Sequence, residues 1–257
     1  MNIIDLATKT MQTAIKTVVD GIKTTTDTTK NGVDEIKQGV GNISNQIANK
    51  NAGKVKRSVT FLASGRFAVP AGVTEVYITG GGAGGGGACG LRDSQGGAGG
   101  AGGVTSFGTA LTLAGGGGAQ PGDIVRQFPG VAGGQGGQSG GITQSEDQAI
   151  GIGGFGGNSG PFFGGIGRQY SAPLVPYESP NCHGGYCSGG GGTVITYYAP
   201  GGGGGDFVYQ RPIAVTPLSW VDVTIGIGGA AGSTIYNGFP IYAGRGGNGI
   251  LIVEWWE

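Results

Sequence analysis

Glycine arrives after Thr79 in runs: GGGAGGGG (80–87), GGAGGAGG (96–103), GGGG (115–118), GGQGGQSGG (133–141), GGGG (189–192) and GGGGG (201–205). Glycine loses more conformational freedom on ordering than any other residue. A chain with 63 glycines in 257 residues is therefore either a loose tether in these stretches or a lattice that admits nothing larger. The choice between the two governs every later inference about what the chain does.

Composition argues against the tether. Flexible linkers carry glycine with serine and little else, whereas here Phe107, Phe155, Phe162, Phe163, Val194, Ile195, Tyr197 and Tyr198 punctuate the runs. Disordered chains combine high net charge with low hydrophobicity. This chain has zero formal net charge, 37% hydrophobic and 12% charged residues. Glycine does not fall strictly every third residue, so collagen is excluded. What remains is ordered glycine. Extended left-handed helices with three residues per turn, bonded side by side, satisfy the pattern; glycine-rich β-turns and bulges are the alternative.

The bulk numbers bound the rest. The length allows one domain of roughly 200 residues plus an extension. Neutral charge gives no electrostatic case for nucleic acid or an anionic membrane. No apolar run approaches the ~18 residues of a membrane-spanning helix, and MNIIDLATKT lacks the apolar core of a signal peptide. Synthesis and assembly in a cytosol are expected.

Charge splits the chain at Arg57. All lysines precede it, and every aromatic residue follows it. In the first part, apolar or threonine positions recur at alternating steps of four and three. Val19, Thr26, Val33, Val40 and Ile47 form one core position, and Ile15, Ile22, Thr29, Ile36 and Ile43 the other. Such a sustained heptad predicts a coiled coil. Lys9, Lys16, Lys23, Lys30 and Lys37 repeat by seven, each of the last three following an aspartate by three residues. Isoleucine at both core positions favours trimers or tetramers over dimers, so a parallel trimer is expected. Its core is Ile15, Val19, Ile22, Val33, Ile36, Val40, Ile43 and Ile47, with Thr26 and Thr29 as polar layers. An amphipathic helix packed on another surface is the alternative.

Beyond Gly53 the period changes. SVTFLAS (58–64), VTEVYIT (73–79), VDVTIGI (221–227) and ILIVEW (250–255) read as strands, and Pro70-Ala71-Gly72 as a turn. The chain is thus expected to hold an α-helical stalk over 1–57 and a glycine-rich head over 58–257. That head would consist of short β-strands and polyglycine II-type helices, with little α-helix.

FAVPAGVTEVYITGGGAGGGG (67–87) resembles the opening of the glycine-rich domain of bacteriophage tail-fibre proteins. WVDVTIGIGGAAG (220–232) and GRGGNGILIVEW (244–255) are similar to its end. The likeness covers about Phe61 to the C-terminus. It implies a homotrimeric, virion-attached tail fibre or tip, assembled in the host cytoplasm. The N-terminus would dock on other tail or baseplate proteins, and the head would bind a bacterial surface receptor, polysaccharide or protein. More distantly the head is similar to the fibre-tip adhesins of T-even-like phages, in which polyglycine II helices form a sandwich and intervening loops read the receptor. Those adhesins have no heptad stalk of their own. A structural connector or baseplate tip without receptor contact is the alternative role.

The side-chain-bearing interruptions are the expected recognition surface: 91–95, 120–128, 143–148, 168–187 and 206–211. RQYSAPLVPYESPNCHGGYC (168–187) is the richest. Tyr170, Tyr177 and Tyr186, with His183, sit there among three prolines; Tyr197, Tyr198, Tyr209 and Arg211 extend the set. Tyrosine offers broad amphipathic contact at low entropic cost. The bland counterpart is that these rings cover a lattice that has no side chains of its own.

No enzyme is expected. There is one histidine and no G-K-[ST]. The carboxylates Asp123, Glu146, Asp147, Glu178, Asp206 and Asp222 are scattered. A depolymerase would need two facing each other within about 10 Å. Cys182-His183 to Cys187 forms C-H-x3-C, which as a zinc site would need Cys89 as a further ligand. A local disulfide and free thiols are the other states. No metal or cofactor is expected.

Overall fold

The computed structural model describes residues 3–50, 53–90, 96–121, 130–132, 137, 138, 140, 153–169, 182–195 and 199–257; within the helix, side chains are described over 11–45. The molecule is mostly β, with one N-terminal helix and little helix elsewhere. It divides into two compact units, Met1–Val55 and Lys56–Glu257.

The first unit is helix α1, Ile3–Lys50. Its heptad seam is bare: Ile15 is 58%, Ile36 68% and Ile43 58% exposed. An isolated helix with four internal glycines and a threonine cluster has poor intrinsic stability, so its apolar stripe requires a partner surface. The threonines depart from expectation. The hydroxyls of Thr24, Thr25, Thr26, Thr28 and Thr29 each donate to the carbonyl four residues back, at 2.9–3.0 Å. At Thr26 and Thr29 the polar group is therefore satisfied inside the helix, and the methyl is left to meet a neighbour. Asp20 pairs with Lys16, four residues earlier, at 2.8 Å, rather than with Lys23.

The head begins and ends in one sheet. Strands β1 (Lys56–Phe61), β13 (Ile250–Trp256), β3 (Glu75–Gly81) and β9 (Phe207–Ala214) lie in that order, all antiparallel. The opening strand pairs with the closing one from Lys56↔Trp256 to Phe61↔Leu251. A second sheet holds β2 (Gly65–Ala68), β10 (Trp220–Thr224), β5 (Thr105–Phe107) and β6 (Leu111–Leu113). The turn before β3 forms as expected: Val73 N donates to Pro70 O, and Gly72 takes φ +75°, which a type II turn requires at its third residue. Val76, Ile78, Leu251 and Val253 of the first sheet and Phe67, Phe107, Leu111, Leu113 and Val223 of the second share one buried core. Strict alternation along β3 and β13 places these residues inward. Smaller pieces are the hairpin β11 (Ser233–Tyr236) and β12 (Phe239–Tyr242), turning on Asn237-Gly238, and a parallel trio of β4 (Cys89–Gly90), β8 (Thr193–Val194) and β7 (Arg168–Gln169).

One expectation fails here. Asp206–Arg211 is not a surface loop; from Phe207 it is β9, the edge strand beside β3. A bulge between Ile78 and Gly80, with Gln210 at φ +50°, breaks its alternation and hides the strand from period-two reading.

Six sandwich strands run straight into glycine. β3 continues through 82–89, β6 through 114–119 and β10 through 226–232, while 97–103, 199–206 and 243–249 lead into β5, β9 and β13. Side chains hold packed sheets about 10 Å apart. Where they stop, chains of both sheets close up and bond to one another. Along 82–89, N–H groups three residues apart donate to the same neighbour. Gly82, Gly85 and Ala88 reach Asp206, Gly203 and Pro200; Ala83, Gly86 and Cys89 reach Gly103, Gly100 and Gly97; Gly84 and Gly87 reach Gly247 and Gly244, all at 2.8–3.0 Å. The carbonyls do likewise. Ala83 and Gly86 accept from Gly116 and Ala119, Gly84 and Gly87 from Gly229 and Gly232, and Gly85 and Ala88 from Gly190 and Thr193. One strand is thus bonded to six others, antiparallel where it donates and parallel where it accepts. A β-strand bonds to two sides only.

Burial follows the same period. Residues 80–90, 187–194 and 199–205 are buried without a break. Segments at the rim expose every third residue: Ala98, Ala101 and Val104; Thr224, Ile227 and Ala230; Tyr242, Arg245 and Asn248; Phe163 and Ile166. Inside, a Cβ added to Gly84 or Gly86 would collide with the carbonyl of Ser188 or Ala230. The unbroken runs 189–192 and 201–205 are thus interior, and GGAGGAGG turns its larger residue outward at the rim, while the GGGG run at 115–118 is only partly buried.

Candidate functional site

The rim side chains converge where residues 184–187 run beside 245–248. Gly184 N donates to Arg245 O at 2.9 Å and Cys187 N to Asn248 O at 2.8 Å. Arg245 N donates to His183 Nδ1 at 3.0 Å, which fixes the imidazole with its proton on Nε2 when neutral. Beyond Tyr186, Gly185 N donates to Phe163 O at 3.1 Å. Neighbouring glycine strands lie so close that side chains from three of them share one surface.

An aromatic ladder anchors that surface. The Tyr186 ring meets Phe162 edge-on at 5.9 Å, and Phe162 meets Phe207 at 6.2 Å. Reciprocal backbone bonds between Ser159 and Phe162 close the turn that carries Phe162. Ser188 Oγ donates to Phe162 O at 2.9 Å. Gly160, at φ +52°, lies against the Phe207 ring and leaves no room for a side chain. Tyr186 is thus held on a braced support, with its outer face in solvent.

Of the residues singled out from the sequence, the structure brings His183 and Tyr186 to this surface. Tyr209 and Arg211 stand on β9 instead; Tyr209 is 78% exposed, and the Arg211 charge opposes, without overcoming, the rise that burial imposes on the Asp206 carboxyl. Tyr170, Tyr177, Tyr197 and Tyr198 lie outside the described residues, as do the interruptions 91–95 and 143–148 and most of 120–128 and 168–181. Sequence reasoning passed over Phe155, Phe163, Ile166, Tyr242 and Arg245, all exposed. A local signal exists for two of them, since Phe155 follows Gly153-Gly154 and Ile166 follows Gly164-Gly165. Phe163, Tyr242 and Arg245 follow no glycine pair and are placed only by standing three residues before another outward position, at Ile166, Arg245 and Asn248.

The cysteines are structural. Cys89, Cys182 and Cys187 are buried, and none of the three is joined in a disulfide. Cys89 Sγ donates to Gly232 O at 3.2 Å. Burial pushes the Cys89 and Cys187 thiols up to about 12, outweighing the backbone hydrogen bonds that oppose it. Such thiols are neither nucleophiles nor thiolate ligands near neutral pH. Among the described residues no three His, Cys, Asp or Glu side chains cluster as metal ligands would.

Two of the six carboxylates named from the sequence are described. Asp222 is exposed and pairs with Arg66 at 2.8 Å. Asp206 has a buried Oδ1 without a hydrogen-bond partner, and burial raises its carboxyl despite the Phe207 backbone and Arg211. Aromatic faces, one guanidinium and one imidazole suit stacking and hydrogen bonding to a polar ligand. No family model matches the chain, and a search of curated proteins found no match.

Proposed function

We propose that the chain is a bacteriophage tail-fibre or tail-tip protein of the virion that binds the host cell surface without acting on it as an enzyme. Its head is read as a bundle of polyglycine II-type helices capped by the β-sandwich. The observation that carries this is the three-residue repeat of hydrogen bonds from one strand to six neighbours, with every third rim residue outward. In such helices outward side chains recur about every 9 Å. The scaffold therefore displays rows of contact groups on a support that has almost no side chains of its own to rearrange. Rigid frames bearing variable contacts are a recurring design for recognition.

The reading of a trimer rests on the stalk: its bare heptad seam carries Ile15, Ile22, Ile36 and Ile43 at one core position and Val19, Val33 and Val40 at the other, β-branched side chains at both. Three joined heads bind multivalently, so weak single sites give strong attachment. The N-terminal end of the stalk is assigned to docking on other tail proteins.

Purified protein, added before the phage that carries it, is expected to block adsorption. The double variant Tyr186→Ala/Arg245→Ala is expected to keep its mass and melting temperature and to block at least tenfold less well. A folded trimer that neither binds cells nor competes would refute receptor binding and leave a purely structural role in the tail.

A further inference from the structure

A second, differently built site lies in the sandwich, apart from the glycine lattice. Between the β5–β6 turn and the chain from β9 to β10 opens a cleft of about 340 Å³, at the small end of ligand-pocket sizes. Trp220, Thr109, Thr216, Ser219 and Asp222 are among the residues that line it. We propose that this cleft binds a neutral pyranose sugar.

Three observations support that ligand. Trp220 is 68% exposed and lines the cleft, although a large apolar ring is normally covered in a monomeric surface. The electron-rich face of an indole suits the slightly positive C–H face of a pyranose. The residues around it include Thr109 and Thr216, whose hydroxyl type both donates and accepts, Ser219, whose hydroxyl already donates to Thr216 O and is left to accept, and the acceptor Asp222; a sugar's hydroxyls need both donors and acceptors. The Asp222 charge, paired with Arg66 at 2.8 Å, leaves no net positive centre, which disfavours an acidic sugar.

The rim is also built rather than loose. Thr216-Pro217-Leu218-Ser219 turns with Leu218 at φ +61°, a conformation that suits glycine and strains leucine. Four bonds hold it there: Leu218 N to Val69 O at 3.0 Å, Val69 N to Ser219 O at 2.9 Å, Ser219 N to Thr216 O at 3.3 Å and Ser219 Oγ to Thr216 O at 2.6 Å. The opposite wall is pinned where Gly108 N donates to Asp222 O at 2.8 Å. A strained turn kept in place by its surroundings fixes Ser219 and Trp220 at the mouth. The site does not depend on the lattice surface being a receptor site.

Saturation-transfer NMR on the full chain tests it, with methyl glucoside, galactoside, mannoside and N-acetylglucosaminide in both anomers, and maltohexaose, as probes. At least one probe is expected to show transfer to its ring C–H protons, with millimolar affinity. Trp220→Ala should abolish it, and Thr109→Val should weaken it several-fold, both at unchanged melting temperature. Tyr186→Ala should leave it intact. Silence from every probe, or a signal that survives Trp220→Ala, overturns the proposal. So does a fall in assembly mass on Trp220→Ala, which would make the cleft a contact between copies of the chain.

Discussion

Replacing Gly202 with alanine adds one methyl between two strands that are both fully buried. Its Cβ would stand 2.5 Å from the Gly85 carbonyl carbon and 2.7 Å from the Gly86 oxygen, and nearer still to the Gly85 oxygen. Comfortable contact needs about 3.5 Å, so the strands must part by roughly 1 Å. Three bonds at this junction stretch: Gly202 N to Gly190 O, Gly190 N to Gly85 O and Gly85 N to Gly203 O, now at 2.8–2.9 Å. Overpacking a dense interior costs about 1–3 kcal/mol, and each weakened bond about 0.5–1.5 kcal/mol. The expected loss is therefore about 3–6 kcal/mol. For a domain of about 200 residues each kcal/mol moves the melting temperature by about 2–4 °C, so a fall of at least about 6 °C is expected by calorimetry. Ala101→Ser, at an outward third position, should change it by less than about 2 °C. If Gly202→Ala melts within about 2 °C of the parent, the strands are not packed as described.

Ile36→Asp should dissociate the assembly; sedimentation would show a mass near one third of the parent's, and an unchanged mass would exclude the seam as the trimer contact. Cys89 and Cys187, raised to about 12 by burial, should resist Ellman's reagent at pH 8 until the protein is unfolded; rapid native labelling would contradict their burial. Asp206→Asn should raise the melting temperature at pH 7 and leave it unchanged near pH 2.5. The folded carboxyl is raised by burial, so its charged form destabilises the head as pH rises through the carboxylate range. Glu254 has the opposite sign: partial burial raises it, but hydrogen bonds from Lys56 and Gln210 prevail and lower it. Glu254→Gln should therefore cost stability at pH 7 and progressively less as pH falls through the carboxylate range, read from melting curves across that range.

The helix was legible because its period is local: Ile15 to Ile43 repeat within α1 regardless of anything outside it. The strands that open and close the head were legible for the same reason, as was the Pro70–Val73 turn. β9 was not, because a bulge and Pro212 break its alternation and its pairing with β3 joins residues far apart in the chain, from Glu75↔Ala214 to Gly81↔Phe207. The alanines of GGAGGAGG stand in register in the sequence, yet the sequence alone does not say that their face is the outer one. That depends on which neighbours exist, as with Gly86 bonding to Gly100 and Ala119. For the same reason Arg245 reads as an isolated basic residue until His183 is found beside it.

The third-residue repeat sets a rule for how such a head can lengthen. Inserting a single residue into 97–103 turns every later side chain by about 120° and drives alanine methyls into the bonded interior. Inserting three keeps the phase and adds one more outward position. Length variation among descendants of this gene is therefore expected in multiples of three within rim strands, and free of that arithmetic in the loops that join them.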